Sequence, residues 1–130
     1  MEEKYSGQER RRHKRLNVHF MISYQVDKPL DVHISVENKE INAFMSDLSE
    51  GGTAIITEYD IPLDTPLSIN FTLINMYYEK GDRIRSIRTR GKVRNNMVSQ
   101  GNKHRLGIEF TAISEEDKRA IAEFVKMALG

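Results

Sequence analysis

The chain has no cysteine, which excludes disulfides, thiolate zinc sites and a cysteine nucleophile together. A secreted disulfide scaffold is therefore ruled out, although the redox compartment is not fixed by that absence. No window approaches the ~18 consecutive apolar residues of a membrane-spanning helix. The opening MEEKYSGQERRRHKRL carries charge where a signal peptide needs an apolar core, so a cytoplasmic protein without membrane insertion is expected. The patterns H-x-x-E-H, G-x-S-x-G and Gly-Lys-Ser are all missing. His13, His19, His33 and His104 are scattered without metal-ligand spacing. These absences argue against an enzyme, a metal site and a bound cofactor.

What is present starts with charge. The 130 residues suit one domain and carry a net charge of only +1. That small total hides two basic regions. Residues 8–15 hold five basic side chains and one acid, and residues 82–105 hold eight basic side chains and Asp82. With +4 and +7 in these segments, the remaining residues sum to −10. Localised positive charge on an otherwise acidic chain points to an anion site.

Residues 1–15 are polar and are expected to form a flexible basic arm, with a barrel over 16–130. From Leu16 the pattern changes: Leu16, Val18, Phe20, Ile22, Tyr24 and Val26 alternate with polar neighbours, the period of a half-buried strand. Alternation resumes at Leu30, Val32, Ile34 and Val36, and a third strand is expected through Ile41, Ala43 and Met45 to Asp47. Ser49–Gly52 predicts a tight turn before Ala54-Ile55-Ile56. Leu67, Ile69, Phe71 and Leu73 alternate, as do Ile87, Thr89, Gly91 and Val93 against Arg88, Arg90, Lys92 and Arg94, read as a wet strand face. A loop is expected at 95–102 before Leu106, Ile108 and Phe110. Ser114 and Asp117 resemble a capping box opening a helix over 114–129, with Glu109 and Asp117 read as exposed acids. The expected fold is all-β: a small antiparallel, six- or seven-stranded split barrel with a C-terminal α-helix.

Two short motifs bear on function. Arg11-Arg12-His13-Lys14-Arg15 has R-x-x-x-R spacing, and Asp47-Leu48-Ser49-Glu50-Gly51-Gly52 has D-x-S-x-x-G spacing. In this order, leading into an alternating barrel, they resemble the two-part signature of the PilZ domain family. Gly107-Ile108-Glu109-Phe110 resembles that family's G-x-x-F closing strand, and the 114–129 segment its terminal helix. The resemblance covers residues 8–130. It implies a receptor for the second messenger cyclic di-GMP, with Arg11 and Arg15 on phosphate or guanine and Asp47, Ser49 and Gly52 around the other guanine. Gln8, Arg10, Arg12 and Gly51 stand beside these as further candidates.

The chemistry agrees with that implication. Guanidinium groups pair bidentately with phosphate oxygens and with the O6/N7 edge of guanine, and they stack on purines. A carboxylate accepts from guanine N1–H and N2–H₂, which adenine cannot offer together. Gly51 and Gly52 permit positive φ and let the ligand approach the backbone closely. An effector protein would read the change that ligand makes when the arm closes. Two rivals remain: a nucleic-acid-binding barrel using the arm and the 83–94 strand, and a PilZ-like adaptor that binds protein only. The first lacks exposed aromatic platforms, so nucleic acid is disfavoured. The second expects a degenerate signature, whereas this one is intact.

Overall fold

The computed structural model describes residues 16–27, 39–74 and 84–129. The chain runs β1 (Leu16–Val26), β2 (Glu40–Ser49), β3 (Gly52–Thr57), β4 (Pro66–Ile74), β5 (Ile84–Val98), β6 (His104–Ala112) and α1 (Glu115–Leu129). Antiparallel pairing in the order β1-β2-β3-β6-β5-β4 closes into a barrel when β4 returns to β1. Closure gives each of these six strands a neighbouring strand on both sides over part of its length. The expected barrel and terminal helix are thus present, with six strands among the described residues. The basic arm and the strand read over 30–36 lie outside the described residues.

Alternation explains the interior. Ile22, Tyr24 and Val26 of β1 point inward to meet Leu67, Ile69, Phe71 and Leu73 of β4, Ile87 and Val93 of β5, and Leu106 and Ile108 of β6. Burying each such aliphatic side chain contributes about 1.5–3 kcal/mol. The Tyr24 hydroxyl is satisfied inside by Thr57 Oγ1 at 2.7 Å, and burial pushes its pKa up to about 12.

Helix α1 packs on the barrel through Ile121, Phe124 and Val125, with the Phe124 ring 5.7 Å from that of Phe20 on β1. Ser114 Oγ accepts from the Asp117 amide at 3.0 Å, as a cap should. The reciprocal half of the box is not made. The Asp117 carboxylate instead accepts from Arg85 of β5 at 2.9 Å, so its side chain is only 14 % exposed. The reading of Asp117 as an exposed acid is corrected by that ion pair, which ties the helix N-terminus to the barrel.

Strand β5 also departs from expectation. It continues to Val98 through the segment read as a loop. A register shift between Val93 and Asn95 breaks the alternation there. Asn96 then pairs with Leu106, and its amide donates to Asp60 Oδ1 at 2.7 Å and to the Ile61 carbonyl at 2.9 Å. Polar residues after a bulge look like loop in sequence, yet these remain in the ladder.

Candidate functional site

The D-x-S-x-x-G segment is built by a bulge. In the β2–β3 ladder Met45 pairs with Ile55, but the next partners are Asp47 and Ala54, leaving Ser46 as the extra residue. The inserted residue reverses the inside–outside parity of β2. Met45 and Leu48 therefore both enter the core, while Asp47 turns to the outer face beside Ala54. The Asp47 carbonyl accepts from Thr53 Oγ1 at 2.7 Å.

Around the outside, Asp47 continues in register to Ala54 on β3, Gly107 on β6 and Asn95 on β5. Small residues at the two central positions make a low shelf. A Cβ on Gly107 would lie 3.4 Å from the Asn95 side chain, which borders the shelf. The neighbouring outward row is Met21, Phe44, Ile56, Arg105 and Met97. Within it, Arg105 Nη2 donates to Asp47 Oδ2 at 2.7 Å, holding a nearly buried carboxylate on the barrel surface. A groove of about 510 Å³ opens beside this row, lined in part by Met21, Phe44, Ile56 and Tyr59, and does not include Asp47 or Ser49.

Ser49 and Gly52 form the hairpin closing β2 onto β3. Ser49 Oγ donates to the Gly52 carbonyl at 3.3 Å and accepts from the Gly51 amide at 3.2 Å. The hydroxyl thus braces its own turn and keeps one lone pair for another donor. The positive φ that Gly51 and Gly52 permit is not used: among the described residues only Gly101 and Asp64 adopt it. Gly52 is required for space. A Cβ there would stand 2.2 Å from the Ile108 carbonyl oxygen of β6. The close approach sits beside the bond from the Phe110 amide to the Gly51 carbonyl at 3.0 Å.

Arg11 and Arg15, with Gln8, Arg10 and Arg12, lie outside the described residues. The place where the arm joins the barrel is described. Leu16 pairs with Leu48 and Asn17 with Asp47, so the chain following Arg15 enters directly alongside the D-x-S segment. The residues that follow the R-x-x-x-R motif are thus paired with the D-x-S-x-x-G segment at one end of the β1–β2 ladder.

The PilZ domain model matches residues 9–127. The chain belongs to the PilZ domain family. No curated protein matches the sequence. Among solved structures, this PilZ domain is similar to the Bacillus subtilis inhibitor of motility MotI/DgrA, with a TM-score of 0.74 and 18 % identity over 92 % of this chain and 51 % of that one. It is also similar to Escherichia coli YcgR in complex with c-di-GMP, with a TM-score of 0.64 and 15 % identity over 92 % and 46 %. A third similar structure is Borreliella burgdorferi PlzA in complex with c-di-GMP, with a TM-score of 0.59 and 18 % identity over 95 % and 44 %. The chain spans about half the length of these proteins. At such identities the likeness concerns the fold.

Arg105, the partner of Asp47, is a residue that sequence reasoning missed. Its strand was recognised, but nothing local distinguishes it from other outward arginines; only the β3–β6 register and the β2 bulge bring it to Asp47. Among the described residues no cluster of three or more His, Asp or Glu forms a metal site, and no helix is long and apolar enough to cross a membrane.

Proposed function

We propose that this PilZ domain is a cytoplasmic receptor for cyclic di-GMP and has no catalytic role. The observation that carries the reading is the pairing of Leu16 and Asn17 with Leu48 and Asp47, which roots the R-x-x-x-R arm at the D-x-S-x-x-G turn. In this reading Arg11 and Arg15 close over the ligand, pairing with phosphate or guanine, with Gln8, Arg10 and Arg12 beside them. Asp47 accepts from guanine N1–H and N2–H₂, Ser49 adds its remaining lone pair, and Gly51 and Gly52 keep the turn low. Arg105 holds Asp47 in place and offers its remaining N–H groups to the ligand's anionic or O6/N7 edge. The bound c-di-GMP in the YcgR and PlzA structures supports this choice of ligand. Closure of the arm changes a surface that an effector protein reads.

Calorimetric titration with cyclic di-GMP, using cyclic di-AMP and GTP as controls, tests the reading. Saturable binding of cyclic di-GMP alone is expected. Equal binding of all three, or of none, defeats it.

A further inference from the structure

We propose that the outward face of β5 from Arg88 to Lys92 is a docking surface for an acidic segment of a partner protein. Arg88, Arg90 and Lys92 project outward at alternate positions while Ile87, Thr89, Gly91 and Val93 are buried. Their spacing along the strand is about 6.6–6.8 Å.

The contrast with the neighbouring cations carries the inference. Arg85 is paired with Asp117, Arg94 with Asp64 and Glu109, and Arg105 with Asp47, each at 2.7–2.9 Å. Among the described residues no carboxylate lies within ion-pair distance of Arg88, Arg90 or Lys92. The acids facing this region are engaged elsewhere. Glu109, opposite Lys92, accepts from Arg94 Nε at 2.8 Å, and Asp27 accepts from Ser68 Oγ at 2.6 and 2.9 Å.

Three like charges in a row repel one another, a cost that a strand accepts when charge protects an open edge. That reason does not apply to Arg90 and Lys92. Both are paired on both sides, Arg90 with Ser68 of β4 and Ala112 of β6, and Lys92 with Pro66 of β4 and Glu109 of β6, while Arg88 pairs with Asn70 of β4. Ser68, Asn70 and Ala112 form a low floor beside the arginines, a hollow of about 380 Å³. The guanidinium groups stand above short neighbours, open to incoming carboxylates, each pairing bidentately.

The surroundings favour protein over other polyanions. None of the floor residues is aromatic, so single-stranded nucleic acid finds no stacking platform. None of them offers the large apolar side chain that anchors a protein in a membrane surface. In the ring order β5 stands three strands from β2; Lys92 shares a register row with Glu109 and Gly52, while Arg88 and Arg90 lie further along β5 from Asn95 and the shelf. A partner held at Arg88 and Arg90 is therefore expected to leave the D-x-S-x-x-G turn open.

The test is a titration of the isotope-labelled full chain with a short polyglutamate peptide, followed by amide chemical shifts. Saturable, salt-sensitive shifts centred on residues 68–70, 86–92 and 112 are expected, with affinity unchanged by saturating cyclic di-GMP. The variant Arg88→Glu/Arg90→Glu/Lys92→Glu should bind the peptide at least about tenfold more weakly, a difference of about 1.4 kcal/mol. The neutral Arg88→Gln/Arg90→Gln/Lys92→Gln variant, checked for an unchanged melting temperature, should also lose affinity. Shifts confined to the N-terminal arm, or affinity retained by the neutral variant, overturn the proposal. So does tighter binding at these residues of oligothymidylate or of phosphatidylglycerol vesicles, which assigns the surface to nucleic acid or lipid. Failure of cyclic di-GMP to bind leaves this result standing, because the probe reads residues 68–70, 86–92 and 112 and not the D-x-S-x-x-G turn.

Discussion

Replacing Arg105 by Ala separates two kinds of surface ion pair on one barrel. The Asp47 side chain is 7 % exposed and Arg105 is 38 % exposed. Removing one partner of a fully buried pair costs about 3–5 kcal/mol because the other charge is left uncompensated. Here water reaches the arginine, so the cost falls toward that of one charge-assisted hydrogen bond, about 1.5–3 kcal/mol. Arg94 is the internal control. It pairs with Asp64 and Glu109, but all three side chains are largely in solvent. Its removal should cost little, because water screens an exposed pair. For a domain of this size 1 kcal/mol corresponds to about 3–5 °C in melting temperature. Arg105→Ala should therefore melt about 5–15 °C below wild type by that conversion, and Arg94→Ala close to wild type.

Urea denaturation with an unchanged slope would assign the loss to the native state. In calorimetry, Arg105→Ala should weaken cyclic di-GMP by about tenfold, with Arg105→Lys intermediate because lysine keeps the charge without the planar fork. Removing Asp47 in the Arg105→Ala background should cost less than in wild type, since the two share one interaction. Equal melting temperatures for Arg105→Ala and Arg94→Ala would refute the idea that burial sets the worth of these pairs.

Other outcomes follow from the same geometry. Arg11→Ala and Arg15→Ala should each weaken cyclic di-GMP at least about tenfold by calorimetry, about 1.4 kcal/mol, with melting temperature nearly unchanged; affinities within twofold of wild type would remove the arm from the site. Gly52→Ala should lower both stability, by about 1–3 kcal/mol of overpacking, and ligand affinity, because β3 must part from β6. Gly101→Ala, at φ 66° with open space around it, should cost only about 1–2 kcal/mol and leave affinity alone, measured in the same two assays. Tyr24 has its folded pKa raised to about 12 from an ordinary value near 10. Its stabilising contribution is thus complete below pH 10 and is lost as pH rises through 12. Denaturation across that window should show a steeper decline for wild type than for Tyr24→Phe.

The sequence made the barrel legible where inward residues keep a strict period of two, as in Ile22-Tyr24-Val26 and Leu67-Ile69-Phe71-Leu73. Ser114 likewise marked the helix start. Legibility failed where a bulge changes parity. Asn95 and Asn96 look like a loop because with Arg94 they make three polar residues after Val93, although the ladder absorbs them with one register shift. Simple alternation from Ile41 would also have carried Asp47 inward with Ala43 and Met45. Long-range partners were equally hidden. Asp117 looks solvent-facing until Arg85 arrives from β5, and Gly52 looks like a φ requirement until Ile108 is seen against it.

The β2 bulge links fold and site in a way that neither motif discloses alone. An inward Asp47 would leave a carboxylate among aliphatic side chains, a burial no hydrophobic contact offsets. Inserting Ser46 sends Leu48 into that core and Asp47 out to Arg105. The same parity change places Ser49 and Gly52 at the turn, with Leu48 beside Leu16 where the arm enters. Deleting Ser46 should therefore leave that placement intact. Met45 would then precede Asp47 directly, so regular alternation keeps Asp47 outward and Leu48 in the core, and stability and ligand affinity should both be largely retained. Substituting Ser46→Ala keeps the extra residue and loses only a 3.4 Å bond to the Ala54 carbonyl, and should be nearly silent in both. A deletion that abolished binding would mean that the local geometry of the bulge, and not only the parity it sets, holds Asp47 at the surface.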